Sequence, residues 1–136
     1  SKKALKVAKI NAKMQQIKNR IKFVNSDIDK FYFGKYDIIL SNPPYINSFG
    51  INYLDSDIKN YEPKVALDGG IDGLSCINTV IKRSSKLIKK KGKLIFEIDS
   101  NQLGKARKLL NKKDFFINKI AKDLENNDRC LLLTRN

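Results

Sequence analysis

Residues 42–45 place an amide, two ring-fixed backbone units and a phenol in four consecutive positions: Asn42, Pro43, Pro44 and Tyr45. Each proline fixes its own φ near about −65°, and a residue that precedes proline is driven to extended conformations. Asn42 and Pro43 therefore hold their carbonyls in nearly predetermined directions, and neither proline has an N–H to pair with them. The product is a short rigid backbone carrying outward acceptors, an amide and an aromatic face. Such a platform suits a planar NH₂ group attached to a π system, which is either a carboxamide or the exocyclic amine of adenine. The Asn42 side-chain oxygen and the Pro43 carbonyl can accept its two hydrogens while Tyr45 packs against its plane. A nitrogen held this way is positioned for in-line attack on an electrophile, and such positioning lowers a barrier by several kcal/mol.

Other chemistries are narrowed by what the composition lacks. The 136 residues contain no histidine, which removes Ser/His/Asp and Cys/His catalysis together with His-based metal sites. Cys76 and Cys130 lie far apart without CxxC spacing, so neither a disulfide framework nor a zinc site is expected, and no metal is assigned. The net charge of +14 and a pI near 9.8 are compatible with direct nucleic-acid binding. They do not require it: only five of the 28 basic residues are Arg, and Ile and Asn are abundant, as A/T-rich coding would produce. The run from Lys89 to Lys93 reads as a solvated helix end. Length and an apolar content of 41% predict one domain over 1–136. No apolar run approaches the roughly 18 to 20 residues that span a bilayer, so no membrane role and a soluble, cytoplasmic monomer are expected.

The elements that must position the platform follow from periodicity. Residues 2–18 read as a helix with Val7, Ile10, Met14 and Ile17 on one face and Ser1 as its cap. IKFVN (21–25) reads as a short strand. YDIIL (36–40) reads as a strand buried on both faces of a parallel sheet, and it runs directly into Asn42. Residues 46–72 read as one long irregular loop of the kind that forms a lid or holds substrate. A helix is predicted from about 73 to 90, closed by Gly92, then a strand over 93–98 and a helix over 101–110. Strands over 114–120 and 128–135 close the chain as an antiparallel hairpin. Ligands in such open α/β sheets collect beyond the carboxyl ends of the strands, which is where residues 42–45 fall.

SNPPYI resembles the motif of amino-methyltransferases that use S-adenosylmethionine, a group acting on adenine N6 and glutamine N5. YEPKVALDGGIDGL (61–74), FEIDSNQ (96–102) and KDLENNDR (122–129) are similar in order and spacing to the HemK/PrmC family of peptide chain release factor glutamine methyltransferases. The resemblance implies a Rossmann-like class I methyltransferase fold. It also implies that the glutamine of the release factor's GGQ loop is the acceptor and S-adenosylmethionine the methyl donor. Asn42, Pro43 and Tyr45 match the catalytic residues. Pro44 joins them in the substrate-amide site, with Glu62 of the family's EP signature beside the substrate loop. Asp27 and Ile28 match the segment along the cofactor's adenine, with Asn42 also close to the cofactor. Glu97 and Gln102 are expected to orient neighbouring loops. Gly69, Gly70 and Gly73 follow a loop and form no GxGxxG, so turn and helix-entry roles are expected of them.

Family members resemble one another in an earlier segment that has no counterpart here: a strand, a Gly-rich loop, a helix, and a second strand ending in an acid. The fold is therefore expected to be incomplete, with the first two strands missing and little affinity for S-adenosylmethionine in these residues alone. In the family's sheet order, 3-2-1-4-5-7-6, the missing strands would separate 21–25 from 36–40. These two must then pair directly or leave exposed edges. Glutamine methylation of a large-subunit ribosomal protein, adenine-N6 methylation of nucleic acid, and an inactive remnant remain alternatives.

Overall fold

The computed structural model describes residues 1–110 and 114–136. The chain divides into two compact units, Ser1–Phe31 and Tyr32–Asn136.

In the first unit, helix α1 (Lys2–Met14) starts where a serine can cap it: the Ser1 hydroxyl accepts from the Ala4 N–H at 3.4 Å. It stops short of the expected end because Gln16 adopts a left-handed φ of 58°. The face formed by Val7, Ile10 and Met14 is exposed, although its spacing is that of a packing face. Residues 21–25 form no strand, contrary to expectation, and lie between single 3₁₀ turns at Lys18–Arg20 and Ile28–Lys30. β-Branched composition favours extended backbone, but a strand also needs a neighbour for its N–H and C=O groups.

The second unit is a four-stranded sheet in the order β1-β2-β4-β3. Strand β1 (Tyr36–Ser41) runs parallel to β2 (Ile88–Glu97), with Leu40 opposite Ile95 and Ser41 opposite Phe96. Strands β3 (Phe115–Lys122) and β4 (Asp128–Arg135) form the expected hairpin, and β4 pairs antiparallel with β2. Between β1 and β2 the chain forms α2 (Ser56–Tyr61), α3 (Lys64–Leu67) and α4 (Ser75–Leu87), and α5 (Leu103–Leu110) follows β2.

Three expectations are corrected here. Residues 46–72 are not irregular throughout, since α2, α3 and a 3₁₀ turn at Gly50–Tyr53 fall inside them. Helix α4 ends at Leu87, and Gly92 sits within β2, where the pairing with β1 shifts register. Strand β1 is not buried on both faces: it is an edge strand, with Ile38 56% and Leu40 72% exposed. Such a strand is covered on both faces only if something lies over each; α4 lies against it and Ile39 packs on the core, while Ile38 and Leu40 on the other face meet solvent.

The core lies under α4. Ile77, Val80, Ile81, Ser84 and Leu87 recur at three- and four-residue steps and are buried. They meet a ladder in which Leu94 stands opposite Leu133 and Phe96 opposite Leu131. Ile98, Ala106, Leu110 and Phe115 complete the cluster. Each such fully buried large side chain contributes about 1.5–3 kcal/mol from lost water contact, which holds the carboxyl ends of β1 and β2 side by side. Among the described residues no helix is long and apolar enough to cross a membrane.

Candidate functional site

Because β1 and β2 are parallel, the chain leaves both at the same edge of the sheet: β1 into Asn42–Tyr45 and β2 into Glu97–Gln102. Asn42 is exposed and no described residue bonds to its side-chain amide, whereas Pro43 is buried beneath it. Tyr45 is half-buried with its ring against the core, and its hydroxyl donates to Glu97 Oε1 at 3.1 Å. Burial, followed by the charge of Glu97 and its hydrogen bond, pushes the Tyr45 phenol above its ordinary pKa. The phenol is therefore neutral at physiological pH, a fixed ring and a donor rather than a base.

The segment after Tyr45 is sewn to residues 67–70. The Ile46 N–H donates to the Leu67 carbonyl at 3.1 Å, the Gly69 N–H to the Ile46 carbonyl at 2.8 Å, and the Ser48 N–H to the Gly70 carbonyl at 3.0 Å. Asp68 accepts from the Ser48 hydroxyl at 2.7 Å and from the Gly70 N–H at 2.9 Å. These two donors, the hydroxyl foremost, hold its carboxyl below the usual carboxylate range. The backbones touch at Gly69, where a Cβ would stand 2.8 Å from the Pro44 carbonyl oxygen. Gly73 has a φ of +72° at the entry to α4, and a Cβ there would meet the Tyr45 carbonyl oxygen at 2.3 Å.

Gln102 joins these pieces. It is buried at the end of the 3₁₀ turn Ser100–Gln102, just before α5, and its amide nitrogen donates to the Tyr45 carbonyl at 2.9 Å and to the Gly73 carbonyl at 3.2 Å. Its oxygen accepts from the Asp99 N–H at 3.1 Å, closing a capping box in which the Asp99 carboxylate accepts from the Asn101 N–H at 3.0 Å. Glu97 and Gln102 thus each hydrogen-bond to Tyr45, Glu97 to its hydroxyl and Gln102 to its carbonyl.

KDLENNDR forms the turn of the β3–β4 hairpin. Asp123 accepts from the Glu125 and Asn127 N–H groups and pairs with Arg129 at 3.1 Å, while Asn126 takes a left-handed φ of 67°. Arg129, Asp99, Asp72, Lys105 and Tyr45 line a depression of about 420 Å³. A second, of about 620 Å³, lies between Asp68, Gly70, Val65 and Cys76. Sequence reasoning did not single out Asp68, Asp99 or Arg129 as individual residues. The signal for Asp99 was available in the D-x-x-Q capping spacing with Gln102.

Glu62 is the exposed C-cap of α2, and neither Glu62 nor Asn42 lines either depression. Asp27 and Ile28 belong to the first unit. Asp27 precedes the 3₁₀ turn and reaches Lys30 at 4.0 Å, and Ile28 is 39% exposed. Cys76 and Cys130 are half-buried, and burial pushes both thiols up in pKa, so neither is an activated nucleophile. Among the described residues no group of three or more acids and cysteines could hold a metal ion.

Comparison with known proteins agrees with the resemblance read from the motifs. The release factor glutamine methyltransferase of Clostridium acetobutylicum is 35% identical over 135 residues, which are 97% of this chain and 47% of that protein. The protein of the same name from Fusobacterium nucleatum is 38% identical over 134 residues, 96% of this chain and 37% of that protein. A ribosomal protein uL3 glutamine methyltransferase of Francisella tularensis is 36% identical over 100 residues, 73% of this chain and 32% of that protein. The chain thus spans less than half the length of these relatives. TrmN from Thermus thermophilus superposes with a TM-score of 0.68 at 14% identity, covering 100% of this chain and 34% of TrmN, which supports the Rossmann-like α/β methyltransferase fold. A family model described as Eco57I restriction-modification methylase matches residues 2–127, and the chain belongs to that methylase family.

Proposed function

We propose that the protein containing these residues methylates, in the cytoplasm, the side-chain amide nitrogen of the glutamine in the GGQ motif of class 1 peptide chain release factors. The observation that carries the proposal is the exposed, unbonded Asn42 amide at the end of β1, held on buried Pro43 beside a pinned Tyr45. The Asn42 oxygen and the Pro43 carbonyl accept the two hydrogens of the glutamine NH₂, and Tyr45 limits the plane in which that amide lies. Glu62 and Pro44 border the entering loop. As the methyl arrived, the nitrogen would become acidic and lose one proton to water while S-adenosylhomocysteine left; Tyr45, held neutral, would serve as a fixed ring and not as the base. Relatives named for glutamine acceptors favour a carboxamide over an adenine amine.

S-adenosylmethionine is the methyl source this reading requires. Asp27 and Ile28 in the first unit and Asn42 in the second are the residues expected to meet it, and each is exposed and so open to a ligand.

A second reading, transfer to adenine N6 of nucleic acid, is favoured by the description of the matching family and by the +14 charge. A third is transfer to ribosomal protein uL3, after the Francisella relative. One experiment separates them. The protein, expressed with whatever coding sequence flanks residues 1–136, is incubated with methyl-labelled S-adenosylmethionine and, in parallel, a purified release factor, uL3 or duplex DNA. Label on the GGQ glutamine supports the proposal; label on uL3 or DNA alone, or on none of them, overturns it.

A further inference from the structure

We propose that Gln102 and Glu97 are positioning residues for the Asn-Pro-Pro-Tyr segment, Gln102 setting where its backbone lies and Glu97 setting how the Tyr45 ring is turned. The need for them is built into the sequence. Prolines stiffen a segment but remove its donors, so Pro43 and Pro44 cannot anchor it through N–H groups. Location must be imposed on its acceptors and on its ring from outside.

Gln102 is suited to this because every polar atom of its amide is engaged: two hydrogens on the Tyr45 and Gly73 carbonyls, and the oxygen on the Asp99 N–H. The opposite amide orientation would set oxygen against two carbonyls and nitrogen against an N–H, so only one arrangement satisfies the site. Its own place is set by the capping box between β2 and α5, both anchored in the core. Glu97 is the last residue of β2, and the sheet therefore fixes the acceptor of the Tyr45 hydroxyl. Three segments of the chain, 42–45, 69–73 and 97–102, are registered to one another through two side chains. A shift of about 1 Å in a group that positions a reacting nitrogen costs about a hundredfold in rate, so these side chains act on turnover although neither touches substrate.

The tests are Gln102→Met, which keeps length and loses the hydrogen bonds, Glu97→Met, and Glu97→Gln, which keeps an acceptor. The kinetic arm rests on the release factor reading. Both Met variants are expected to lower kcat by roughly tenfold or more while KM for the release factor moves less than about threefold, and Glu97→Gln should recover most of the Glu97→Met loss. Two further readouts need no activity. Amide hydrogen exchange at Ile46 and Ser48 should quicken by about tenfold in Gln102→Met while α4 amides keep their protection. The ultraviolet titration of Tyr45, isolated by difference from Tyr45→Phe, should move to lower pH in Glu97→Gln. If the wild-type protein labels no release factor, the functional reading falls and these two readouts still decide the inference. A folded Gln102→Met variant with wild-type kcat, or with unchanged exchange at Ile46 and Ser48, overturns it.

Discussion

Gly73→Ala is the most direct test of how residues 42–45 are held. Gly73 has a φ of +72°, and placing an L side chain there costs about 1 kcal/mol or slightly more. The new Cβ would lie 2.3 Å from the Tyr45 carbonyl oxygen and 2.7 Å from Gln102 Nε2. The first of these is backbone, so relief requires the two loops to part by roughly an ångström, past hydrogen-bond range for a contact now at 2.9 Å. Losing that part-buried bond adds about 1–3 kcal/mol, because both the carbonyl and the amide lose a partner. The total is about 2–4 kcal/mol, a large share of the roughly 5–15 kcal/mol that holds a domain together. Urea unfolding followed by circular dichroism measures it as a drop in midpoint at constant slope. Gly104→Ala is the internal control, since a Cβ there meets nothing within 4 Å on an exposed turn of α5. It should stabilise by about 0.5–1 kcal/mol. Gly73→Ala and Gln102→Met break the same bond, so their double mutant should cost clearly less than the two single costs combined. A Gly73→Ala protein within about 0.5 kcal/mol of wild type, the range of ordinary surface changes, would refute the account of this junction.

Three other outcomes follow from the same structure. Ser84 is fully buried in α4 and its hydroxyl has no partner among the described residues, so Ser84→Ala should raise stability by about 1 kcal/mol, read as a higher urea midpoint. Asp68, whose carboxyl the Ser48 hydroxyl and Gly70 N–H hold below its ordinary value of 3.8, contributes stability that is present above that value and lost as pH falls through the lower folded value. Asp68→Asn should therefore weaken the protein near neutrality and flatten its acid unfolding below about pH 4, which thermal scans across pH would register. Residues 1–136, which hold no Gly-rich loop directly after a strand, should show little thermal stabilisation by S-adenosylmethionine, and a shift of several degrees at millimolar ligand would overturn that expectation.

Much of the architecture is legible in the chain because local and global preferences agree there. The spacing of Ile77, Val80, Ile81 and Leu87 defines one apolar helix face, and that face is the one buried. KLIFEI alternates so that Leu94, Phe96 and Ile98 share a side, and they line the core. The closing hairpin is marked by two apolar runs around a turn whose Asp123 and Asn126 have side chains and backbone preferences suited to it. The Asn-Pro-Pro-Tyr segment is legible for the same reason: proline geometry is covalent and needs no neighbour.

What tertiary structure alone decided is everything that depends on a partner distant in sequence. Ile38 and Leu40 of YDIIL and the helix face of Val7, Ile10 and Met14 read as buried, yet they are exposed, because composition states what a surface prefers and not what covers it. Residues 21–25 carry strand propensity without forming a strand, since the ladder that would repay its ordering is absent from the described residues. The clamp on Tyr45 comes from Glu97 and Gln102, 52 and 57 residues away. The stiffness of residues 42–45 is therefore a property of the sequence, while their position is conferred by two side chains that only the parallel pairing of β1 and β2 brings within hydrogen-bond reach.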